Sequence, residues 1–191
     1  MIEQDAPEPQ APRHWEADIV AADGGTVHLR PIRPEDADGL TGLMDRSSDQ
    51  TRYYRFFGPM KRLSDKDLHR FTHVDHDNRV AFVIVLGDQI VAVGRYDRYP
   101  DTDDAEVAFL VEDAHQGRGL GSVLLEHLAA AAREVGVDRF VADVLPGNAK
   151  MIRVFSDAGY DVKRHFDDGV VSLEFNIDPT EKSRAVMEAR E

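Results

Sequence analysis

The sequence of 191 residues contains no cysteine. A disulfide framework, a thiol nucleophile and a cysteine-based metal site are therefore excluded. It also lacks any apolar run close to the roughly 18 residues that a membrane-spanning helix needs. Basic residues are few, since 23 lysines and arginines stand against 36 acidic residues, for a formal net charge of -13. A surface that follows nucleic-acid phosphates needs a basic stripe. The composition therefore argues against nucleic-acid and membrane partners and favours a partner that presents a cation such as lysine.

The chain has the pattern of one mixed domain with a short segment at each end. Residues 1–15 are rich in proline and in acidic or amide side chains, a composition typical of a flexible arm. Residues 16–177 contain the strand-like and helical segments of the domain, and residues 178–191 are expected to form a charged tail or linker. The opening segment MIEQDAPEPQAPRHWE lacks the basic and apolar regions of a secretory signal, so we expect a cytoplasmic location.

The order of the predicted elements places a sheet around one central crossover. Residues 35–57 are expected to be helical, in one or two pieces, and Ser64 followed by Asp67 predicts a capped helix start. Two β-rich runs joined at Gly87 and Asp88 predict a hairpin. The strand, glycine turn, helix and strand that follow require one right-handed crossover between parallel strands. The sheet is expected to be largely antiparallel elsewhere.

The glycine turn lies in VEDAHQGRGLGSVLLEHLAAAAREVG, residues 111–136, where Gly117, Gly119 and Gly121 separate a strand from a strong helix. The unpartnered N–H groups of a helix start and the helix dipole favour a bound anion there. A tight turn without a ligand would use the same glycines, so the glycines alone leave both interpretations open. A P-loop would need Gly-Lys-Ser/Thr, and a dinucleotide turn would need a third glycine where Leu124 stands. Both of those motifs are excluded.

A more specific pattern surrounds this turn. Gln116, Gly119 and Gly121 have the spacing Gln-x-x-Gly-x-Gly, a strand carrying Glu106 precedes them, and NAKMIRVFSDAGY follows at a suitable distance. Over about residues 26–176 the chain resembles the GNAT acetyltransferase superfamily, whose members use acyl-CoA. The segments SSDQTRYYRFFGPMKRLSD and DAEVAFLVEDAHQGRGLGS are similar to bacterial Pat-type protein lysine acetyltransferases. This resemblance implies an α/β (α+β) GNAT fold, with six or seven mostly antiparallel strands flanked by about four helices.

The resemblance also implies a binding site for acetyl-CoA and no metal cofactor. It assigns roles to individual residues. Backbone N–H groups of the turn would hold the CoA pyrophosphate, and the strand end before it would pair with the pantetheine arm. Asn148 would touch the pantetheine or the reacting region from the other side, and Phe155 would lie beside the thioester sulfur. The turn residues are Gln116, Gly117, Arg118, Gly119, Leu120, Gly121 and Ser122, and the strand-end residues are Phe109, Leu110 and Val111.

Glu106 is the candidate general base. An unperturbed lysine has a pKa of about 10.4 and is mostly protonated near neutrality, so acetyl transfer needs a group that removes its proton. The position of Glu106 matches the glutamate base of Pat-type enzymes, whereas the residues alone favour a solvated strand glutamate. Many GNAT enzymes place a tyrosine acid where this chain has Phe155, so the CoA thiolate is expected to leave without one.

Three further features carry open alternatives. Arg118 is expected to contact a phosphate through its charged side chain. The run HVDHD suggests a metal site, but a solvated loop is the favoured interpretation. The segment RYYRFF is either a basic and aromatic surface for a protein substrate or a helix that packs its aromatic side chains into the core.

The leading hypothesis is therefore an acetyl-CoA-dependent protein lysine N-acetyltransferase. The resemblance suggests an acyl-CoA synthetase as its acceptor and a regulatory domain fused in a longer chain. The alternatives are an enzyme that acetylates a small amine and a domain that senses acyl-CoA without turnover.

Overall fold

The computed structural model describes residues 7–60 and 62–189. Among them, eight strands and six α-helices alternate along the chain. The strands are β1 (Ala17–Val20), β2 (Thr26–Pro31), β3 (Arg79–Leu86), β4 (Gln89–Arg98), β5 (Asp104–Val111), β6 (Arg139–Val144), β7 (Lys163–Asp167) and β8 (Val170–Asn176). The helices are α1 (Ala37–Arg46), α2 (Asp49–Phe56), α3 (Asp65–Thr72), α4 (Leu120–Glu134), α5 (Ala149–Asp157) and α6 (Glu181–Glu188). No helix of the described residues has the length and apolarity needed to cross a bilayer.

All eight strands form one sheet in the order β1-β2-β3-β4-β5-β6-β8-β7. Every neighbouring pair is antiparallel except β5 and β6, which are parallel and joined by α4. The predicted crossover is thus confirmed as a parallel pair. Pairing between these two strands ends at Glu106 and Val141, although β5 continues to Val111 and β6 to Val144. The two strands therefore part beyond Glu106, and this separation creates the central cleft of the molecule.

Helices cover the two faces of the sheet unequally. Alternate strand residues point to opposite faces, and α4 and α5 bury one face with Leu124, Leu128 and Phe155 at its core. Helices α1, α2 and α3 cover the other face only over β3, β4 and part of β5. On that second face, the polar side chains of β6 and β7 stay exposed. The uncovered area begins beside Glu106.

The mixed, mostly antiparallel sheet flanked by helices is as expected, but it is larger than the six or seven strands predicted. The additional edge strand is β1, whose four residues alternate between partial and full exposure, so no apolar run marked it. Six helices replace about four, because residues 35–57 form two helices and the C-terminal segment forms α6. Two contacts tie α6 to the domain: Ser183 is buried, and the Thr180 hydroxyl donates to the Gly159 carbonyl at 2.8 Å.

The boundary of the expected N-terminal arm also differs from the structure. Residues Arg13–Trp15 form a 3-10 turn, and the Trp15 indole is buried against α4. Its Nε1 donates to the Glu134 carboxylate at 2.8 Å, and His14 contacts the same carboxylate at 2.7 Å. The chain is thus packed before residue 16. Residues 1–6, the start of the predicted arm, lie outside the described residues.

A buried ion pair fixes the start of α1. The guanidinium of Arg30 donates two hydrogen bonds to the Asp36 carboxylate, both at 2.8 Å, and the side chains are only 14% and 9% exposed. The same carboxylate accepts the Arg33 backbone N–H at 2.7 Å. Asp36 raises the pKa of Arg30 still further above its usual range. The Arg30 guanidinium therefore stays charged.

Replacing Asp36 by asparagine should lower the free energy of unfolding by about 3 kcal/mol, because the buried Arg30 then loses its counter-charge. Urea unfolding followed by circular dichroism would measure the loss. The matched control is Asp38→Asn, an exposed carboxylate in the first turn of α1, which should cost less than about 1 kcal/mol. Equal losses in the two variants would contradict the role of the pair.

Candidate active site

The cleft between β5 and β6 has a volume of about 750 Å³. Its lining comprises the second half of β5, the end of β6, the glycine turn, the start of α4, one face of α2 and most of α5. The lining begins at Val107, so Glu106 lies at the edge of the cleft. Of the predicted cofactor residues, all except Arg118 line it. The fold thus brings together residues that are up to 46 positions apart, from Phe109 to Phe155.

The glycine turn directs backbone N–H groups into this cleft. Gly117 and Gly119 have φ values of 81° and 78°, a left-handed conformation that glycine adopts without strain. Gly119 is the N-cap of α4, and no side chain caps that helix end. The first N–H groups of α4 therefore remain available to an anion. At Gly121 a Cβ would meet Val154 of α5 at 3.3 Å, so glycine there lets the two helices approach closely.

Gln116 joins three walls of the cleft through its side-chain amide. Its Nε2 donates to the Val111 carbonyl at 3.1 Å and to the Thr51 hydroxyl of α2 at 3.2 Å. Its Oε1 accepts from the Lys150 ammonium of α5 at 3.4 Å. The Gln116 side chain therefore links β5, α2 and α5 by hydrogen bonds. The backbone of Gln116 remains part of the glycine turn.

The Arg118 side chain does not point into the cleft, contrary to the prediction of a phosphate contact. Its Nε donates to the Asp23 carboxylate at 2.7 Å and its terminal nitrogen at 3.1 Å. This contact, followed by that of the Gly25 N–H, lowers the pKa of Asp23. The Arg118 carbonyl also accepts the Ala22 N–H at 3.0 Å. The guanidinium thus anchors the glycine turn to the β1–β2 turn.

Two other basic side chains, missed in the sequence analysis, line the cleft in place of Arg118. They are Lys150 and Arg153 on α5, and both are exposed. They lie three residues apart, on one face of the helix. A signal for them was present in the segment NAKMIRVF, where the i, i+3 spacing of two cations follows the N-cap. These residues can supply positive charge beside the glycine turn.

Asn148 and Phe155 occupy opposite ends of the α5 wall. The Asn148 side chain accepts the Met151 N–H at 3.3 Å, which makes it the N-cap of α5. Phe155 is 1% exposed, and its ring centroid lies 5.7 Å from that of Phe109 and 5.8 Å from that of Phe175. Phe155 therefore forms part of the cleft floor and offers no proton.

Glu106 lies at the junction of the cleft and the uncovered sheet face. Its side chain is exposed, and the Tyr99 hydroxyl donates to its carboxylate at 3.4 Å. Burial, and then the charge of Glu106, raise the pKa of Tyr99 to about 12. The phenol therefore keeps its proton at neutral and mildly alkaline pH, and remains a donor to Glu106. The exposed carboxylate therefore lies beside Val107, the first residue of β5 that lines the cleft.

Helix α2, which carries the RYYRFF segment, closes one side of the cleft. The Asp113 carboxylate accepts from the Ser48 N–H and hydroxyl, both at 2.8 Å, and thereby fixes the helix start. At its far end, the Tyr54 hydroxyl donates to the Gly147 carbonyl across the cleft at 3.0 Å. Phe56 packs into the core, whereas Tyr53 is 46% exposed. The segment thus combines both interpretations, core packing and exposed aromatic surface.

Removing the cross-cleft hydrogen bond with Tyr54→Phe should weaken CoA binding by about 3- to 10-fold, since a neutral hydrogen bond contributes about 1 kcal/mol. Titration calorimetry with CoA would measure the change. The control is Tyr53→Phe, the same substitution on the neighbouring exposed tyrosine, which should leave the affinity unchanged. An unchanged affinity in the Tyr54 variant would show that the bond does not close the cleft.

The HVDHD run forms a capped loop. The Asp75 carboxylate accepts the backbone N–H groups of Asp77 and Arg79 at 3.0 and 2.8 Å, and the His73 ring stacks on His69 at 3.8 Å. Across residues 7–60 and 62–189, no three metal-ligating side chains are grouped to hold an ion.

The fold and the glycine-lined cleft agree with the comparisons to known proteins. The family model described as Acetyltransferase (GNAT) family matches residues 44–160. The chain therefore belongs to the GNAT family of acetyltransferases. The predicted resemblance to this family is confirmed.

Particular relatives refine this placement. Acetyltransferase PA5475 of Pseudomonas aeruginosa is 30% identical over 159 residues, which cover 81% of this chain and 84% of that protein. Acetyltransferase Pat of Mycolicibacterium smegmatis is 34% identical over 162 residues, which cover 83% of this chain and 48% of Pat. The chain thus spans about half the length of that relative. The GNAT domain of S. lividans PAT, known from a crystal structure, has 55% sequence identity to this chain. The two structures superpose with a TM-score of 0.83, and the match covers 87% of this chain and 99% of that domain. The resemblance to Pat-type acetyltransferase domains is confirmed as well.

Proposed function

We propose that the chain is an acetyl-CoA-dependent protein lysine N-acetyltransferase in which Glu106 is the general base. One observation carries the proposal: Glu106 is the last residue of β5 that pairs with β6, it directly precedes the β5 residues that line the cleft, and its side chain is exposed. A thioester in the cleft and a lysine arriving from solvent would meet at this point. The 55% identity to the S. lividans PAT domain supports the protein substrate class.

The cleft residues fit acetyl-CoA as a co-substrate. The left-handed turn at Gly117 and Gly119 frees the N–H groups of α4 for the pyrophosphate, and Lys150 and Arg153 add positive charge. The second half of β5, without a strand partner on its β6 side, offers backbone groups to the pantetheine amides. In this pose the thioester lies beside Val107 and Ala108, next to Glu106.

The chemistry then follows from these positions. Glu106 accepts a proton from the lysine ammonium, directly or through water, and the neutral amine attacks the thioester carbonyl carbon. The C–N bond forms, the C–S bond breaks and CoA leaves as a thiolate, while the second proton of the attacking nitrogen is lost to water. A thiol has a pKa of about 8.5, so the thiolate can leave without a tyrosine acid at position 155. Backbone N–H groups after Glu106 would polarise the carbonyl.

The acceptor that we propose is a lysine of an acyl-CoA synthetase, in a cytoplasmic setting. The similarity to Pat relatives supports this class, and the net charge of -13 suits a lysine-bearing surface. Incubation with a panel of acyl-CoA synthetases and acetyl-CoA, followed by mass spectrometry, would test it. Acetylated lysine on at least one synthetase is the expected result.

The same panel separates the two alternative functions. Acetylation of polyamines or aminoglycosides without any acetylated protein lysine would assign the chain to small-amine substrates. Tight acetyl-CoA binding by calorimetry, without turnover on any amine, would instead assign it to acyl-CoA sensing. Either result would overturn the proposed function.

A further inference from the structure

A second, smaller cavity lies behind the thioester end of the cleft. Its volume is about 30 Å³, room for roughly two water-sized groups on this measure. Ala108, Leu110 and Arg55 line both the cleft and this cavity. The two spaces therefore adjoin at these three residues. An acyl chain longer than acetyl, held at Ala108, could therefore extend into this space.

The cavity is apolar except for two arginines. Its remaining lining is aliphatic and aromatic, and includes Leu43, Phe56 and Phe71. Arg95 of β4 lies directly opposite Ala108 in the antiparallel ladder, which places the two residues in cross-strand contact. Arg55, in the last turn of α2, borders the cavity from the helix side.

Arg95 is a buried cation without an ion-pair partner among the described residues. It is 6% exposed, and its guanidinium stacks on the Phe71 ring at 4.4 Å. One terminal nitrogen donates to the Phe71 carbonyl at 3.0 Å, but Nε has no hydrogen-bond partner. Burial, opposed by the charge of Asp97 and reinforced by the charges of Arg55, Arg79 and Arg70, lowers the pKa of Arg95 to about 9. A buried, unpaired donor costs free energy unless a ligand satisfies it.

Arg55 adds a second unpaired charge. No hydrogen bond or ion pair of its guanidinium is found within residues 7–60 and 62–189; it lies 4.8 Å from the Phe56 ring, and the nearby charges of Asp97 and Glu106 act on it. Asp97, the nearest carboxylate to Arg95, already pairs with Arg79 at 3.2 Å. Two arginines therefore converge on an apolar space in a protein of net charge -13. This is the environment in which a carboxylate would be bound by charge-assisted hydrogen bonds.

We propose that the acyl site extends past Ala108 into this cavity, and that Arg95 and Arg55 bind the terminal carboxylate of a succinyl group, so that the chain transfers succinyl from succinyl-CoA. The inference rests on the proposed function for the position of the thioester. The step balances as for acetyl: the lysine nitrogen bonds to the succinyl carbonyl carbon and the C–S bond breaks. As for acetyl, Glu106 takes one proton from the lysine ammonium, the attacking nitrogen loses the second to water, CoA leaves as a thiolate, and the distal carboxylate is unchanged.

The test compares succinyl-CoA with butyryl-CoA, the neutral acyl group with the same number of carbons. In the wild type, kcat/KM for succinyl-CoA should equal or exceed that for butyryl-CoA on the same acceptor. In Arg95→Met, the succinyl-to-butyryl ratio should fall by at least about 10-fold, because a charge-assisted hydrogen bond is lost. Arg55→Gln, at a half-buried site, should also lower the succinyl-to-butyryl ratio. It provides an independent test of the site if Arg95→Met does not fold. The control Arg62→Met, at an exposed arginine outside the cavity, should keep the wild-type ratio.

Calorimetry without an acceptor distinguishes failure of the succinyl site from failure of the proposed acetyltransferase function. Binding of butyryl-CoA with about 100-fold weaker binding of succinyl-CoA would overturn the succinyl site and leave the acetyltransferase proposal intact. Equal losses for both acyl groups in Arg95→Met and Arg55→Gln would also overturn it, since the arginines would then act on packing alone. Failure to bind any acyl-CoA would overturn the proposed function and the succinyl site together.

Discussion

The Glu106→Gln variant should turn over at least about 100-fold more slowly than the wild type, with acetyl-CoA affinity unchanged, because the proton acceptor is removed while the cleft is untouched. Glutamine keeps the size of the side chain and its place at the end of the β5–β6 pairing. It can still accept the Tyr99 hydrogen bond, which measures 3.4 Å in the wild type. Steady-state kinetics on a protein acceptor, with calorimetry of acetyl-CoA, would give both quantities.

The matched control for this variant is Glu174→Gln. Glu174 lies on the same sheet face, on β8, where it pairs with Arg139 at 3.6 Å, and it does not line the cleft. Its replacement should leave turnover within a few-fold of the wild type. Near-normal turnover in Glu106→Gln would refute the base assignment. Asp143, the carboxylate of β6 that lines the cleft, would then be the next residue to replace.

Local signals predicted much of the fold because local physics determines those elements. Ser64 and Asp67 form the expected capping box of α3, and Asn148 caps α5. Each of these contacts spans three residues, so the sequence displays both partners together. The hairpin at Gly87 is similarly local, and the chain order alone required β5 and β6 to be parallel.

Long-range contacts were the part that the sequence could not supply. Asp23 and Arg118 are 95 residues apart, and nothing near Arg118 indicates that its charge is already paired. The Trp15 contact to Glu134 spans 119 residues. The sequence therefore predicts a flexible arm for the proline-rich segment, although its last residues pack against the domain. Strand β1 is stable only because it pairs with β2, and four half-exposed residues do not show that pairing.

The candidate site likewise divides into features with a local sequence signal and features that depend on long-range contacts. The glycine turn was found by its spacing, and Glu106 was found by the resemblance to Pat-type enzymes. Arg95 and Ala108 were not paired by any pattern, because their contact depends on the register of β4 against β5. Register is a property of the assembled sheet, so the small cavity became visible only with the fold.

Replacing Gly119 by valine should weaken CoA binding by about 100-fold, the equivalent of losing two charge-assisted hydrogen bonds of about 1.5 kcal/mol each. At a φ of 78° a β-branched residue is strained, and relief of the strain would turn the N–H groups of the turn away from the pyrophosphate. Steric filling is not the cause, since the nearest atom to a Cβ there is Ala22 Cβ at 3.8 Å.

The control Gly87→Val separates strain from position. Gly87 has a φ of 64°, nothing lies within 4 Å of a Cβ there, and it forms the β3–β4 turn away from the cleft. Both variants should lose about 1–2 kcal/mol of stability from the left-handed backbone, measured by urea unfolding. Only Gly119→Val should lose CoA affinity in calorimetry. If Gly119→Val lost the same stability but kept normal CoA affinity, the pyrophosphate would have to bind elsewhere. Distortion of the turn would then not affect the ligand.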